Sequence, residues 1–173
     1  IKTRWVAPGQ RDSAYVFVRG ELEAGRQAFI VFPLVDGSEA VRARAATEEH
    51  ERLSRDVFTG HRLGLLHGRM KTAEKEIVME RFSAGELDVL VSTSVIEVGI
   101  DVPNATVMVI DGADRFGLAQ LHQFRGRVGR GADQSYCLLL SDSTGPEAAE
   151  RLRVIEAVSD GFKLAEEDLR LRG

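Results

Sequence analysis

A three-layer α/β domain on a mainly parallel sheet is what this sequence predicts, and two features carry the prediction. Five short runs, Gln27–Phe32, 62–66, 88–93, 106–110 and 135–140, are apolar at successive positions and rich in Val, Ile and Leu. Strands covered on both faces read this way. Helical stretches separate several of the runs, and strand–helix–strand alternation implies parallel strands joined by right-handed crossovers. In such sheets function gathers in loops beyond the carboxyl ends of the strands.

The helices follow in order. One is predicted over 14–24, before the first run, and another over 39–57, after it. The second is so polar that only one narrow face can be buried. The stretch 71–82 is better defined: Thr72 can serve as N-cap, and Glu74 and Glu76 suit the positive end of the helix dipole. Ala73, Ile77, Val78 and Phe82 offer an apolar stripe, and Gly85 a stop. Beyond Leu140 the character changes. Thr144, Gly145, Pro146 and Glu147 resemble a capping box, opening a helix with Ala148, Leu152 and Ile155 on one face. Ser159, Asp160 and Gly161 then break the chain before a second short helix over 162–171. The expected organisation is one sheet domain over 1–142 and an appended helical hairpin over 143–173. The first residue is Ile1 rather than Met, and the hairpin stops at Gly173 without a cap, so the chain reads as a piece of a longer one.

Composition bounds the function. A chain of 173 residues suffices for one domain with a proper core. With 43% hydrophobic and 29% charged residues it is ordinary for a soluble globular domain. A net charge of -4 argues against wholesale coating of nucleic acid, yet permits a local basic site. Cys137 lies inside the apolar run Tyr136–Leu140 and reads as a small buried residue, neither metal ligand nor nucleophile. A reducing, cytoplasmic setting is consistent with it. No apolar run approaches membrane-spanning length, so no membrane partner is expected.

Three loops carry chemistry. His67, Gly68 and Arg69 follow the second strand; Gly68 allows close backbone approach and Arg69 can pair with a phosphate. The plain alternative is a strand-to-helix turn with a solvated arginine. After the third strand come the hydroxyls of Ser92, Thr93 and Ser94, placed to donate to phosphate oxygens. Glu97 and Asp101 flank Gly99, where a carboxylate can accept from a ribose hydroxyl or hold an arginine. Simple helix capping over 95–98, ended by Gly99, accounts for each of these residues singly. The third loop packs three arginines and two glycines into 123–130. On a helical or near-helical backbone Arg127 and Arg130 share a face, with Gln123 one turn before Arg127. Arg125, between them, is expected to face solvent or a neighbouring carboxylate. No GxxxxGK[ST] phosphate loop occurs in the 173 residues, so the arginines lack the cradle that would hold a nucleotide.

His67-Gly68, the string STSVIEVGIDVPNA over 92–105 and QFRGRVGR over 123–130 resemble the later motifs of superfamily-two helicases, in the right order. The last departs from the HRxGRxxR form of DEAD-box RNA helicases, because Gln123 and Phe124 replace His and Arg. HGRMKTAEKEIVM over 67–79 and DRFGLAQLHQFRGRVGRG over 114–131 are similar to bacterial branched-DNA helicases. DGFKLAEEDLRLRG over 160–173 resembles the start of a translocation motif that these share with transcription-repair coupling factors. His122 and the phrase over 95–105 favour the former.

The resemblance implies a second RecA-like motor lobe in an ATP-dependent helicase of recombination and repair, acting on stalled forks and Holliday junctions. It implies ATP and Mg2+, held mainly by a first lobe elsewhere in the full chain, with no metal ligands here. Arg130 would then be the arginine finger on the γ-phosphate, with Arg127 beside it and Gln123 organising the pair. Gly99 and Asp101 would line the nucleotide side, while Ser92, Thr93, Ser94, His67, Gly68 and Arg69 would touch the nucleic-acid backbone. The hairpin would convert lobe closure into DNA movement, with Arg170 and Arg172 near its far end. Partners implied are branched DNA, the N-terminal RecA-like lobe and single-strand-binding protein, in a bacterial cytoplasm at the nucleoid. Two readings of other classes compete: a self-contained phospholigand-binding module, which would bind nucleotide on its own, and an interaction scaffold whose arginines contact only protein.

Overall fold

The computed structural model describes residues 1–93, 102–142, 145–158 and 169–171. Its sheet has six strands: β1 (Lys2–Val6), β2 (Gln27–Phe32), β3 (Leu63–Leu66), β4 (Val89–Thr93), β5 (Ala105–Asp111) and β6 (Tyr136–Leu140). They lie in the order β1-β6-β5-β2-β4-β3, and every pairing is parallel. Five of the six are the apolar runs read from the sequence. The sixth, β1, is an edge strand that pairs only with β6, and its Lys2, Thr3 and Arg4 break any continuous apolar signal.

The chain fills both faces of the sheet, and residue parity decides which side chain goes where. Phe29, Val31, Leu90, Met108, Ile110, Cys137 and Leu139 share one core with Phe82, Leu121, Phe124, Leu152 and Ile155. Ala28, Ile30, Val89, Val91, Val107, Val109, Leu138 and Leu140 share the other with Tyr15, Val18, Leu22 and Leu53. The first core therefore lies under α3 (Thr72–Ser83), α4 (Leu118–Arg125) and α5 (Pro146–Ala157), the second under α1 (Arg11–Glu23) and α2 (Glu39–Arg52). This is the three-layer α/β arrangement. Cys137 is fully buried, and burial pushes its thiol up to about 12, so it is chemically silent.

The helices hold several local surprises. α2 buries Ala46 alone, and its narrow apolar face is continued by Leu53 and Phe58 around the π-helical turn Leu53–Val57. α3 is capped by Lys71 rather than Thr72; Glu74 accepts from the Lys71 backbone N–H at 3.1 Å. Its stripe also differs from the expected one. Phe82 is buried and Val78 and Met79 are half-buried, but Ile77 is 57% exposed and Ala73 is open to solvent. The helix is rotated so that 75, 78, 79 and 82 face the sheet. Gly85 does end it, at a φ of 80°. α5 starts on Gly145 with Pro146 in its first turn, and buries Ala149, Leu152, Val154 and Ile155. Thr144, the helix read over 95–98 and most of the second hairpin arm lie outside the described residues; 169–171 are helical, and Arg170 Nη2 donates to Glu150 Oε1 at 3.2 Å.

Topology sorts the three loops between opposite ends of the sheet. Residues 67–71 and Thr93 lie at the carboxyl ends of β3 and β4. α4 must run back along the sheet, because it joins β5 to the parallel β6. Its carboxyl end and the turn after it therefore sit at the amino ends of the strands. A strand of five residues separates the two ends by roughly 17 Å.

Candidate nucleotide and nucleic-acid interfaces

α4 ends at Arg125, and Gly126 caps it. Arg127 and Arg130 thus lie beyond the helix, in a tight turn, rather than on a continued helical face. The Arg127 and Val128 N–H groups close the turn onto Phe124 and Arg125 carbonyls at 3.0 and 3.3 Å. Gly129 takes a φ of 82°, which a side chain would disfavour, and its N–H donates to Ser135 Oγ at 3.0 Å. Val128 is buried beneath the turn, while Gln123 and Arg130 are exposed and Arg127 is half-buried. Arg130 Nε donates to Gly126 O at 3.1 Å, which leaves its two Nη groups as open donors. Neither Arg127 nor Arg130 is paired with a carboxylate among the described residues. Two guanidinium forks held on one rigid turn without counter-charges suit an arriving phosphate.

The same corner receives the end of the second loop. Gly131 comes so close to Pro103 that a Cβ on it would lie 2.7 Å from the Pro103 carbonyl oxygen. Pro103 directly follows the stretch containing Gly99 and Asp101 in sequence. Those two residues, and Ser94, lie outside the described residues. Thr93 and Val102, the described residues on either side of 94–101, lie at opposite ends of the sheet.

At the carboxyl ends, His67, Gly68, Arg69 and Thr93 line one cavity of about 160 Å3, together with Leu34, Arg42 and Glu39. The Arg69 N–H donates to His67 Nδ1 at 3.2 Å, leaving Nε2 to carry the proton of the neutral ring. Burial pushes the His67 pKa below its ordinary value, so the ring is a neutral donor at pH 7. Thr93 Oγ1 is buried and has no hydrogen-bond partner among the described residues. Ser92 behaves differently from the sequence expectation. It is fully buried, and its hydroxyl is spent on the Thr93 carbonyl at 2.9 Å.

Two residues escaped the sequence reading. Arg42, on α2, reaches the 67–69 cavity with its Nε anchored on Val35 O at 3.0 Å; the polar pattern of α2 offered no sign of it. Arg125 is the other, and it reverses an expectation. It is only 4% exposed, meets no carboxylate among the described residues, and donates to Ile155 O, His122 Nδ1 and Thr3 Oγ1. A signal existed, because Arg125 continues the buried positions Leu118 and Leu121 at helical spacing.

Beside the smaller cavity, a larger one of about 600 Å3 opens between the ends of β2 and β5, where the strand order reverses. Glu49, Asp111, Asp114 and Asp142 line it against Arg42 and Arg115. Asp111 is tied to Arg11 at 2.8 Å. Asp142 also pairs with Arg11, and Glu49 with Arg52, so most of these carboxylates have a counter-charge of their own. Among the described residues no group of three or more His, Cys, Asp or Glu is arranged to hold a metal, and no helix is long and apolar enough to cross a membrane.

Comparison with known proteins gives this geometry a class. The family model for the helicase conserved C-terminal domain matches residues 13–132, and the chain belongs to that family. Over its whole length it is similar to ATP-dependent DNA helicase RecG. The RecG of Synechocystis sp. is 52% identical over 173 residues, 100% of this chain and 21% of the relative. That of Thermotoga maritima is also 52% identical, again over 100% of this chain and 22% of the relative. The chain thus spans about a fifth of the length of these relatives. A structure of RecG bound to a three-way DNA junction superposes with a TM-score of 0.84 at 51% identity, covering 98% of this chain and 22% of that one. The C-terminal domain of the DEAD-box protein Dbp5 shares the fold, with a TM-score of 0.56 at 18% identity over 98% of this chain and 97% of that one. The RecA-like fold expected from the motifs is therefore the one found. Likeness at this level does not favour the coupling-factor alternative.

Proposed function

We propose that this chain is the second motor lobe of an ATP-dependent helicase acting on branched DNA in recombination and repair. The observation that carries the reading is the match, over 98% of the chain, to RecG bound to a three-way junction. The separation of open arginines at one end of the sheet from the 67–69 cavity at the other supports it. One interface serves a nucleotide and the other a nucleic-acid backbone.

ATP with Mg2+, bound mainly by the first lobe of the full-length protein, supplies the γ-phosphoryl group and the metal charge. Arg130 and Arg127 complete that site from across the cleft, offering donors to the phosphate oxygens as negative charge builds on them. Gln123, exposed one turn before them, orients the pair, and Asp101 and Gly99 line the same side. His67 Nε2, the Gly68 backbone and Arg69 hold the DNA backbone without reading bases, as a motor stepping along any sequence requires. Thr93 and Ser94 extend that contact, and Ser92 supports it from within the sheet. The division at 142/143 marks where the lobe passes into the hairpin, whose first arm, α5, packs on the same core. Single-strand-binding protein and a nucleoid location are proposed on the resemblance.

Arg69→Ala in the full-length protein tests the DNA side. Arg69 is exposed and the change leaves the fold intact. Junction affinity is expected to fall for every sequence alike, and the slope of log affinity against log salt to flatten by about 0.9 for one lost phosphate contact. An unchanged slope would remove Arg69 from the track. The 173-residue chain alone is expected to hydrolyse no ATP, with or without junction DNA. Measurable DNA-stimulated hydrolysis by it would defeat the reading of a half-site.

A further inference from the structure

Arg125 is a buried cation with no carboxylate partner among the described residues. Its Nη1 donates to Ile155 O at 2.7 Å and to Thr3 Oγ1 at 3.3 Å, and its Nη2 contacts His122 Nδ1 at 2.9 Å. Ile155 lies in the last turn of α5, where carbonyls lack intrahelical donors. Arg125 is itself the last residue of α4. The guanidinium therefore sits at the negative end of the α5 dipole, which offsets part of the cost of burying its charge. Burial still draws its pKa down from the ordinary value. The one side chain ties together α4, α5 and the edge strand β1, and the turn that carries Arg127 and Arg130 begins at the next residue.

We propose that Arg125 is a positioning residue for ATP hydrolysis, fixing through its three-way tie the take-off of the turn that presents Arg127 and Arg130. The proposal rests on the reading of those two arginines as acting on the nucleotide. A planar fork bonding in two directions from a fixed helix end does what a single-point donor cannot. Because the turn starts at the α4 end and is tied back to it by the Arg127 and Val128 N–H bonds, a small rotation of the α4 end moves the Arg130 donors as a unit. Losing the tie therefore affects the transition state more than the bound ground state.

The test uses the full-length protein with junction DNA, and the variants Arg125→Met, Arg125→Lys, Arg130→Ala and Arg125→Met with Arg130→Ala. Methionine keeps the bulk and removes the donors; lysine keeps the charge and removes the fork. Both single variants are expected to lower kcat about tenfold or more, with KM for ATP changed less than about threefold, measured well below their melting temperatures. The double variant is expected to lose clearly less than the product of the two single losses, because Arg125 acts largely through Arg130, with Arg127 the remainder. Wild-type kcat in a folded Arg125→Met or Arg125→Lys protein overturns the proposal, as does a double variant whose losses multiply. If Arg130→Ala alone leaves kcat unchanged, the nucleotide role of the turn fails, and the positioning role fails with it.

Discussion

Arg130→Ala in the full-length protein is expected to lower DNA-stimulated ATP hydrolysis by about 10³-fold or more, the usual worth of an arginine finger. The fold gives little reason for any other effect. Arg130 is exposed, and its only side-chain bond among the described residues is the Nε contact with Gly126 O. Removing such a group changes stability by no more than about 0.5 kcal/mol. Melting temperature and junction affinity should therefore stay at wild-type values while kcat collapses. Arg130→Lys should recover little, since one ammonium cannot reproduce two Nη donors held in a plane. Steady-state hydrolysis with saturating junction DNA, alongside thermal melting, is the measurement. A variant with normal turnover would return the turn to the status of a solvated basic surface and favour the scaffold reading.

What could be read in the sequence follows from which forces write themselves into local pattern. Strands β2, β4, β5 and β6 are buried on both faces, so burial forces near-continuous apolar residues, while the edge strand β3 buries alternate positions and shows through its leucines. β1 is an edge strand with exposed Lys2 and Arg4 and only half-buried Thr3, Trp5 and Val6, so burial constrains it weakly and it left no run. The rotation of α3 depends on a close packing that no single-helix pattern records: a Cβ on Gly64 in β3 would lie 2.6 Å from Leu87 and 3.2 Å from Val78. The arginine run stood out in the sequence because three cations and two glycines in one short stretch are unusual, and the structure places Arg127 and Arg130 on one turn. Its internal division of labour was not legible. Whether Arg125 faces water or the core is decided by Ile155, thirty residues away, and by a β1 strand that left no signal of its own. Nor does spacing reveal that the turn and the 67–69 loop occupy opposite ends of the sheet. That follows from all strands being parallel, which forces α4 to run backward.

Thr93 and Pro103, which flank 94–101 in sequence, lie at opposite ends of the sheet, Thr93 beside the 67–69 cavity and Pro103 against the turn that carries Arg130. Gly131→Ala tests the second of these contacts. Its new Cβ would lie 2.7 Å from Pro103 O, a backbone atom that cannot rotate away. Either the Arg130 turn or the backbone at Pro103 must shift. A displacement approaching 1 Å at a catalytic group is enough to cost about 10²-fold in rate, so kcat is expected to fall by about that factor with KM for ATP little altered. Gly20→Ala supplies the control. Gly20 lies within α1 with open space where its Cβ would go, and alanine there should raise stability by up to about 1 kcal/mol without touching turnover. Normal turnover in Gly131→Ala would mean that the turn tolerates movement at its far end. The placement of Arg130 would then rest on the α4 end alone, where Arg125 holds it.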